Sequence, residues 1–111
     1  MADATHDLGE TLRDLFATIE ARRGADPKTS YTASLFAAGR ARCAKKFGEE
    51  AVETVIAGAQ GDKAGLAEEA ADALYHLLVL LAVNDVTPAD VAEVLIRRRG
   101  VSGHEEKAGR E

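Results

Sequence analysis

The chain has 111 residues, with 14 Lys and Arg against 19 Asp and Glu, and a formal net charge of −5. That length fits one domain spanning 1–111 and leaves no room for a second catalytic unit. A single cysteine, Cys43, excludes an internal disulfide framework and a multi-cysteine metal knuckle. The acidic balance excludes a generic nucleic-acid tracker, which needs a basic excess.

In chain order, Leu8, Leu12, Leu15, Phe16 and Ile19 recur at helical spacing and predict a first amphipathic helix. Gly24-Ala25-Asp26-Pro27 ends it and opens a polar loop. Thr32 to Ala38 predicts a short helix closed by Gly39. A longer helix is predicted from about Arg40 to Ala59, carrying Phe47, Ala51, Val52, Val55 and Ile56. Gly58, Gly61 and Asp62 mark the next break, and helix resumes from near Lys63 to about Val83. Thr87 then reads as an N-cap, with Pro88 at the first helical position and Asp90 as the capping-box acid. Val91, Val94 and Leu95 give this last helix its apolar face before Gly100, and the charged tail 103–111 is expected to be loose. No strand-like alternation and no repeat appears, so the predicted fold is an all-α bundle of four to five helices.

The apolar run from Ala73 to Val83 is too short for a bilayer, which needs about 20 helical residues. The N-terminal stretch is polar and acidic, unlike a signal peptide. The expectation is a soluble, cytoplasmic protein.

The chemistry gathers on two helices. Lys46, Glu49, Glu50 and Glu53 fall within one arc of the 40–59 helix, opposite its apolar residues. Taken alone, that is an amphipathic helix with a solvated acidic face. The 63–83 helix changes the reading. Glu69 and Asp72 share a side that continues into Val79, Leu80 and Val83, while Leu74, Leu77, Leu78 and Leu81 cover the other side. A helix apolar all round is buried against several neighbours, which predicts that the two acids are at least half-buried. Ionised groups in that setting need partners, and the helix carries no basic residue after Lys63. A hard cation is the natural partner, and oxygen-only ligands point to Mg²⁺ or Mn²⁺. His76 reads either as a packing histidine or as a group just behind the site. The same all-round apolar helix is hard to cover within one short chain, which predicts a homodimer that completes the bundle.

Four ordered blocks carry a family resemblance. They are Ser30-Tyr31-Thr32, then Lys45-Lys46-Phe47-Gly48-Glu49-Glu50-Ala51 with Glu53, then Glu68-Glu69 with Ala71-Asp72 and Leu74 through Leu81, and finally Arg99-Gly100 with Ser102-Gly103 and Glu105-Glu106-Lys107. Together they resemble the phosphoribosyl-ATP pyrophosphatases, within the all-α MazG-like nucleotide pyrophosphohydrolases. The resemblance implies hydrolysis of phosphoribosyl-ATP to phosphoribosyl-AMP and pyrophosphate with Mg²⁺, the second step of histidine biosynthesis, by a homodimer. It implies Glu50, Glu53, Glu69 and Asp72 as metal ligands, and Glu49 as a further ligand or as a group orienting the attacking water. Glu50 or Glu53 would take the proton, and Lys46 and Lys45 would neutralise phosphate charge. The candidates for holding the substrate are Ser30, Tyr31, Thr32, Arg99 and Lys107. Phe47 stands where the family pattern suggests Val or Ile. The cysteine-rich zinc chemistry of a fused cyclohydrolase is excluded by the single cysteine. Two rival readings are a MazG-like house-cleaning hydrolase of noncanonical nucleoside triphosphates and a non-catalytic helical dimerisation module that binds a basic partner.

Overall fold

Five helices make up the part of the chain, residues 6–100, that this computed structural model describes, and no strand occurs among those residues. They are α1 (Leu8–Ala21), α2 (Tyr31–Ala38), α3 (Arg40–Ala59), α4 (Lys63–Val83) and α5 (Pro88–Arg98). The all-α expectation holds, and the boundaries follow the sequence signals closely. Lys107 and the rest of the 103–111 tail lie outside the described residues.

Side chains just ahead of the helices explain where most of them start. Asp7, Ser30 and Asp62 accept the N–H groups of Glu10, Ala33 and Gly65, each three residues on, which satisfies donors that have no partner inside the helix. At α5 the exchange is reciprocal. The Thr87 hydroxyl accepts Asp90's N–H at 3.2 Å, and the Asp90 carboxylate accepts Thr87's N–H at 2.9 Å. Thr87→Ala is expected to cost about 1 kcal/mol, read as a lower urea midpoint at unchanged slope. α3 has no side-chain cap. Gly39 instead turns the chain directly from α2 into α3 at φ 96°, a conformation that L side chains rarely adopt.

α4 is the centre of the molecule, packed against α1, α2 and α3. Its Leu78, Val79 and Ala82 meet Ile19 of α1, Leu35 of α2 and Cys43 of α3 in one core. Cys43 is buried there, and its thiol donates to the Leu35 carbonyl at 3.3 Å. Burial raises its pKa, which keeps it an inert packing residue. Arg23 ties the far ends of α1 and α4 together. It donates to the Ala82 carbonyl at 2.7 Å and to Glu20 at 2.7 Å, and its guanidinium lies 4.7 Å from the centre of the Phe36 ring.

The structure corrects the reading of α3. Its packed side runs through Cys43, Phe47, Glu50, Thr54 and Ala57, whereas Val52, Val55 and Ile56 are 57%, 68% and 45% exposed. The packed side of α3 is therefore not its Val52–Val55–Ile56 stripe, and Glu50 sits on that packed side rather than on a solvated acidic face. α5 also has no buried residue, and Leu95 and Ile96 are exposed.

Candidate active site

The site forms where Glu50 on α3 faces Glu69 and Asp72 on α4. Thr54, one turn after Glu50, sets the spacing between these helices. Its hydroxyl lies 2.8 Å from the Glu50 carbonyl oxygen and 3.1 Å from that of Glu69, so one proton is shared across the helix pair. The i, i+3 spacing puts Glu69 and Asp72 on one side of α4. Each of the three carboxylates then offers an oxygen, and the three oxygens lie within 4.8 Å of one another. Glu50 and Glu69 are half-buried, whereas Asp72 is exposed, so the expectation of two covered acids on α4 holds for Glu69 alone.

This convergence has an electrostatic cost. Partial burial raises the Glu69 carboxyl above the ordinary carboxylate range, with further contributions from the negative charges of Glu50, Glu53, Asp72 and Glu68. A pKa raised by folding means that ionising Glu69 opposes folding at neutral pH. Glu69→Gln is thus expected to raise the melting temperature of the metal-free protein at pH 7. The gain should vanish below about pH 4.5, the ordinary value at which the carboxyl is protonated in either state. Scanning calorimetry at the two pH values checks both halves. Three clustered oxygens carrying unbalanced negative charge fit a hard divalent cation and do not suit a soft metal.

The other candidates lie around this trio. Glu53, one turn along α3, lines an open cavity of about 250 Å³ with Asp62, Glu68 and Glu69. Glu49 is exposed and pairs with Lys46 at 3.4 Å, while Lys45 is exposed beside it. Ser30 is buried, its hydroxyl engaged as the α2 cap. Tyr31 is exposed, and the Thr32 hydroxyl lies 2.6 Å from the Tyr75 hydroxyl of α4. Arg99 is exposed at the C-cap of α5, on a different helix from the carboxylates.

Two features escaped the sequence reading. Thr54 looks like an ordinary helix residue until α4 is placed beside it. Tyr75 gave a faint signal, standing three residues after Asp72 and so on the same side of α4. His76 is buried as a packing histidine, its ring edge-on to those of Tyr75 and Tyr31, and burial lowers its pKa.

Residues 12–99 match the phosphoribosyl-ATP pyrophosphohydrolase family. The chain is 63% identical over 99 residues to the phosphoribosyl-ATP pyrophosphatase of Cereibacter sphaeroides, covering 89% of this chain and 96% of that protein. It is 61% identical over 99 residues to the phosphoribosyl-ATP pyrophosphatase of Paracoccus denitrificans, covering 89% and 92% of the two. The corresponding protein of Rhodobacter capsulatus is 58% identical over 99 residues, with 89% and 96% covered.

Proposed function

This chain belongs to the phosphoribosyl-ATP pyrophosphohydrolase family, and from that premise we propose that its α3–α4 groove hydrolyses phosphoribosyl-ATP to phosphoribosyl-AMP and pyrophosphate in histidine biosynthesis. The observation that carries this is the convergence of Glu50, Glu69 and Asp72 from two helices, with Lys46 on the neighbouring turn of α3. We assign Mg²⁺ as the cation, with Mn²⁺ as a substitute, held by Glu50, Glu69 and Asp72 with Glu53 one turn along. When bound, it would draw charge from the phosphate oxygens that shield the phosphorus from a nucleophile.

The chain's own residues supply the rest. Lys46, and Lys45 beside it, offset phosphate charge at the mouth of the groove. Glu49 orients the attacking water, and Glu50 or Glu53 takes its proton. The water oxygen bonds to phosphorus as the bridging bond between the α and β phosphates breaks, and pyrophosphate departs with that electron pair. Product analysis tests the bond assignment. With Mg²⁺ present, phosphoribosyl-AMP and pyrophosphate should appear in equal amounts, and release of orthophosphate would overturn it.

The exposed apolar residues Val52, Val55 and Ile56 of α3 and Leu95 and Ile96 of α5 support a homodimer. So does an open apolar groove of about 300 Å³ lined by Leu12, Leu77, Leu81, Val91 and Leu95. Sedimentation equilibrium at micromolar concentration should return twice the chain mass, and a monomer mass would contradict the assignment. No described helix is long and apolar enough to cross a membrane. A biosynthetic substrate and an unpaired Cys43 are consistent with action in the cytoplasm.

A further inference from the structure

An aromatic assembly sits one helical turn beyond the carboxylates. The rings of Tyr31 and Tyr75 are stacked with an offset, their centres 6.3 Å apart and their planes 22° from parallel. His76 meets both rings edge-on, at 6.1 Å from Tyr31 and 5.0 Å from Tyr75. The Thr32–Tyr75 hydrogen bond fixes the inner ring, and Ser30 fixes the start of α2, which carries Tyr31. Tyr31 packs against Tyr75 yet is 56% exposed, so part of its surface faces solvent.

Ordinary packing accounts for Tyr75 and His76, which are half-buried and buried. It does not account for Tyr31, which stacks on Tyr75 yet stays largely uncovered beside the proposed substrate site. Tyr75 and His76 follow Asp72 by about one turn, a rise of about 5.4 Å. Tyr75 and His76 share α4 with Glu69 and Asp72, and Tyr31 lies against both rings, so the two clusters are neighbours along that helix. In a nucleotide one ribose separates base from phosphate, a reach of one to two such turns. A nucleotide with its phosphates at the carboxylates is therefore long enough for its base to reach the aromatic cluster.

The chemistry of that base is unusual. Phosphoribosyl-ATP carries its added sugar on ring nitrogen N1, and an N1-alkylated adenine holds a proton near neutral pH, whereas the base of ATP is neutral. Electron-rich phenol faces attract a cation more strongly than a neutral ring, and the nearby carboxylates add to that preference. We infer that Tyr31, backed by Tyr75, whose hydroxyl is hydrogen-bonded to that of Thr32, is a stacking platform that selects a cationic N1-alkylated purine over unmodified adenine. The platform rests on the substrate assignment above and adds to it the means by which ATP is rejected.

The chain has two tyrosines and no tryptophan, so its intrinsic emission reports on this pair alone. Titrating the wild-type protein with 1-methyl-AMP and with AMP, corrected for nucleotide absorption, should quench that emission. The half-saturating concentration should be about tenfold lower for the methylated nucleotide. Equal affinity, or an emission unchanged by either nucleotide, overturns the platform. In steady-state turnover, Tyr31→Leu should raise KM for phosphoribosyl-ATP about five- to a hundredfold with a much smaller change in kcat, because stacking acts on binding. Tyr31→Phe, which keeps the ring, should restore most of the affinity. An unchanged KM in Tyr31→Leu overturns the assignment. The titration needs no turnover, so an enzyme inactive on phosphoribosyl-ATP would refute the proposed function and leave the platform to be decided by emission.

Discussion

Glu50→Gln and Asp72→Asn are each expected to lower kcat on phosphoribosyl-ATP by on the order of 10²–10³-fold while leaving helical content unchanged. Each removes one carboxylate of the three that converge, and each exchange nearly preserves shape. Charge stabilisation by a bound cation is worth several kcal/mol, and about 1.4 kcal/mol corresponds to tenfold in rate. The two substitutions sit on different helices, so a shared loss would follow from the shared cluster and not from damage to one element. Asp72 is exposed and Glu50 makes no side-chain ion pair among the described residues, so neither change should unfold the protein. The check is pyrophosphate release alongside circular dichroism. Near-normal turnover in both variants would remove the metal assignment.

Ile19→Ala is expected to destabilise the fold by about 2–5 kcal/mol. Ile19 is 1% exposed and sits in the cluster with Leu35, Cys43, Leu78, Val79 and Ala82, where α1, α2, α3 and α4 converge. Truncating it loses the burial of its removed methyl and methylene groups and leaves a cavity at that meeting point, in a chain with a small core. For a domain near this size, each kcal/mol lowers the melting temperature by about 4–8 °C, so the loss should be plain in a thermal scan. Leu8→Ala, on the same helix but 61% exposed, should change stability by less than about 0.5 kcal/mol. Equal losses at the two positions would contradict the placement of the core.

The contrast between Ile19 and Leu8 also marks what the sequence made legible. Helical spacing put both in one stripe, but Leu8 lies in the first turn of α1 and is 61% exposed among the described residues. The α5 start was readable in full, because a capping box is local chemistry between Thr87 and Asp90. α3 was misread because hydrophobicity does not say which face a neighbour will choose. Cys43, Thr54 and Ala57 lie on the packed side of α3, and the Val52–Val55–Ile56 stripe is left exposed. At the site, the spacings of Glu50, Glu69 and Asp72 foretold two acidic faces, and helix pairing brought them together. Thr54 and the Tyr31–Tyr75 stack could not be read that way, since their contacts exist only between helices.

The same geometry carries a tension between stability and function. Glu69 is held where its charge opposes folding, and Glu69→Gln should relieve that strain while removing one oxygen donor from the trio. A cation bound as proposed would offset that charge.

The most direct test of the central claim is pyrophosphate release by the wild-type protein from phosphoribosyl-ATP and from ATP, each with Mg²⁺ and after chelation. The proposed α3–α4 site predicts rapid release from phosphoribosyl-ATP with Mg²⁺, slow release from ATP, and none from either after chelation. Equal rates on the two nucleotides, or undiminished release without a divalent cation, would contradict it.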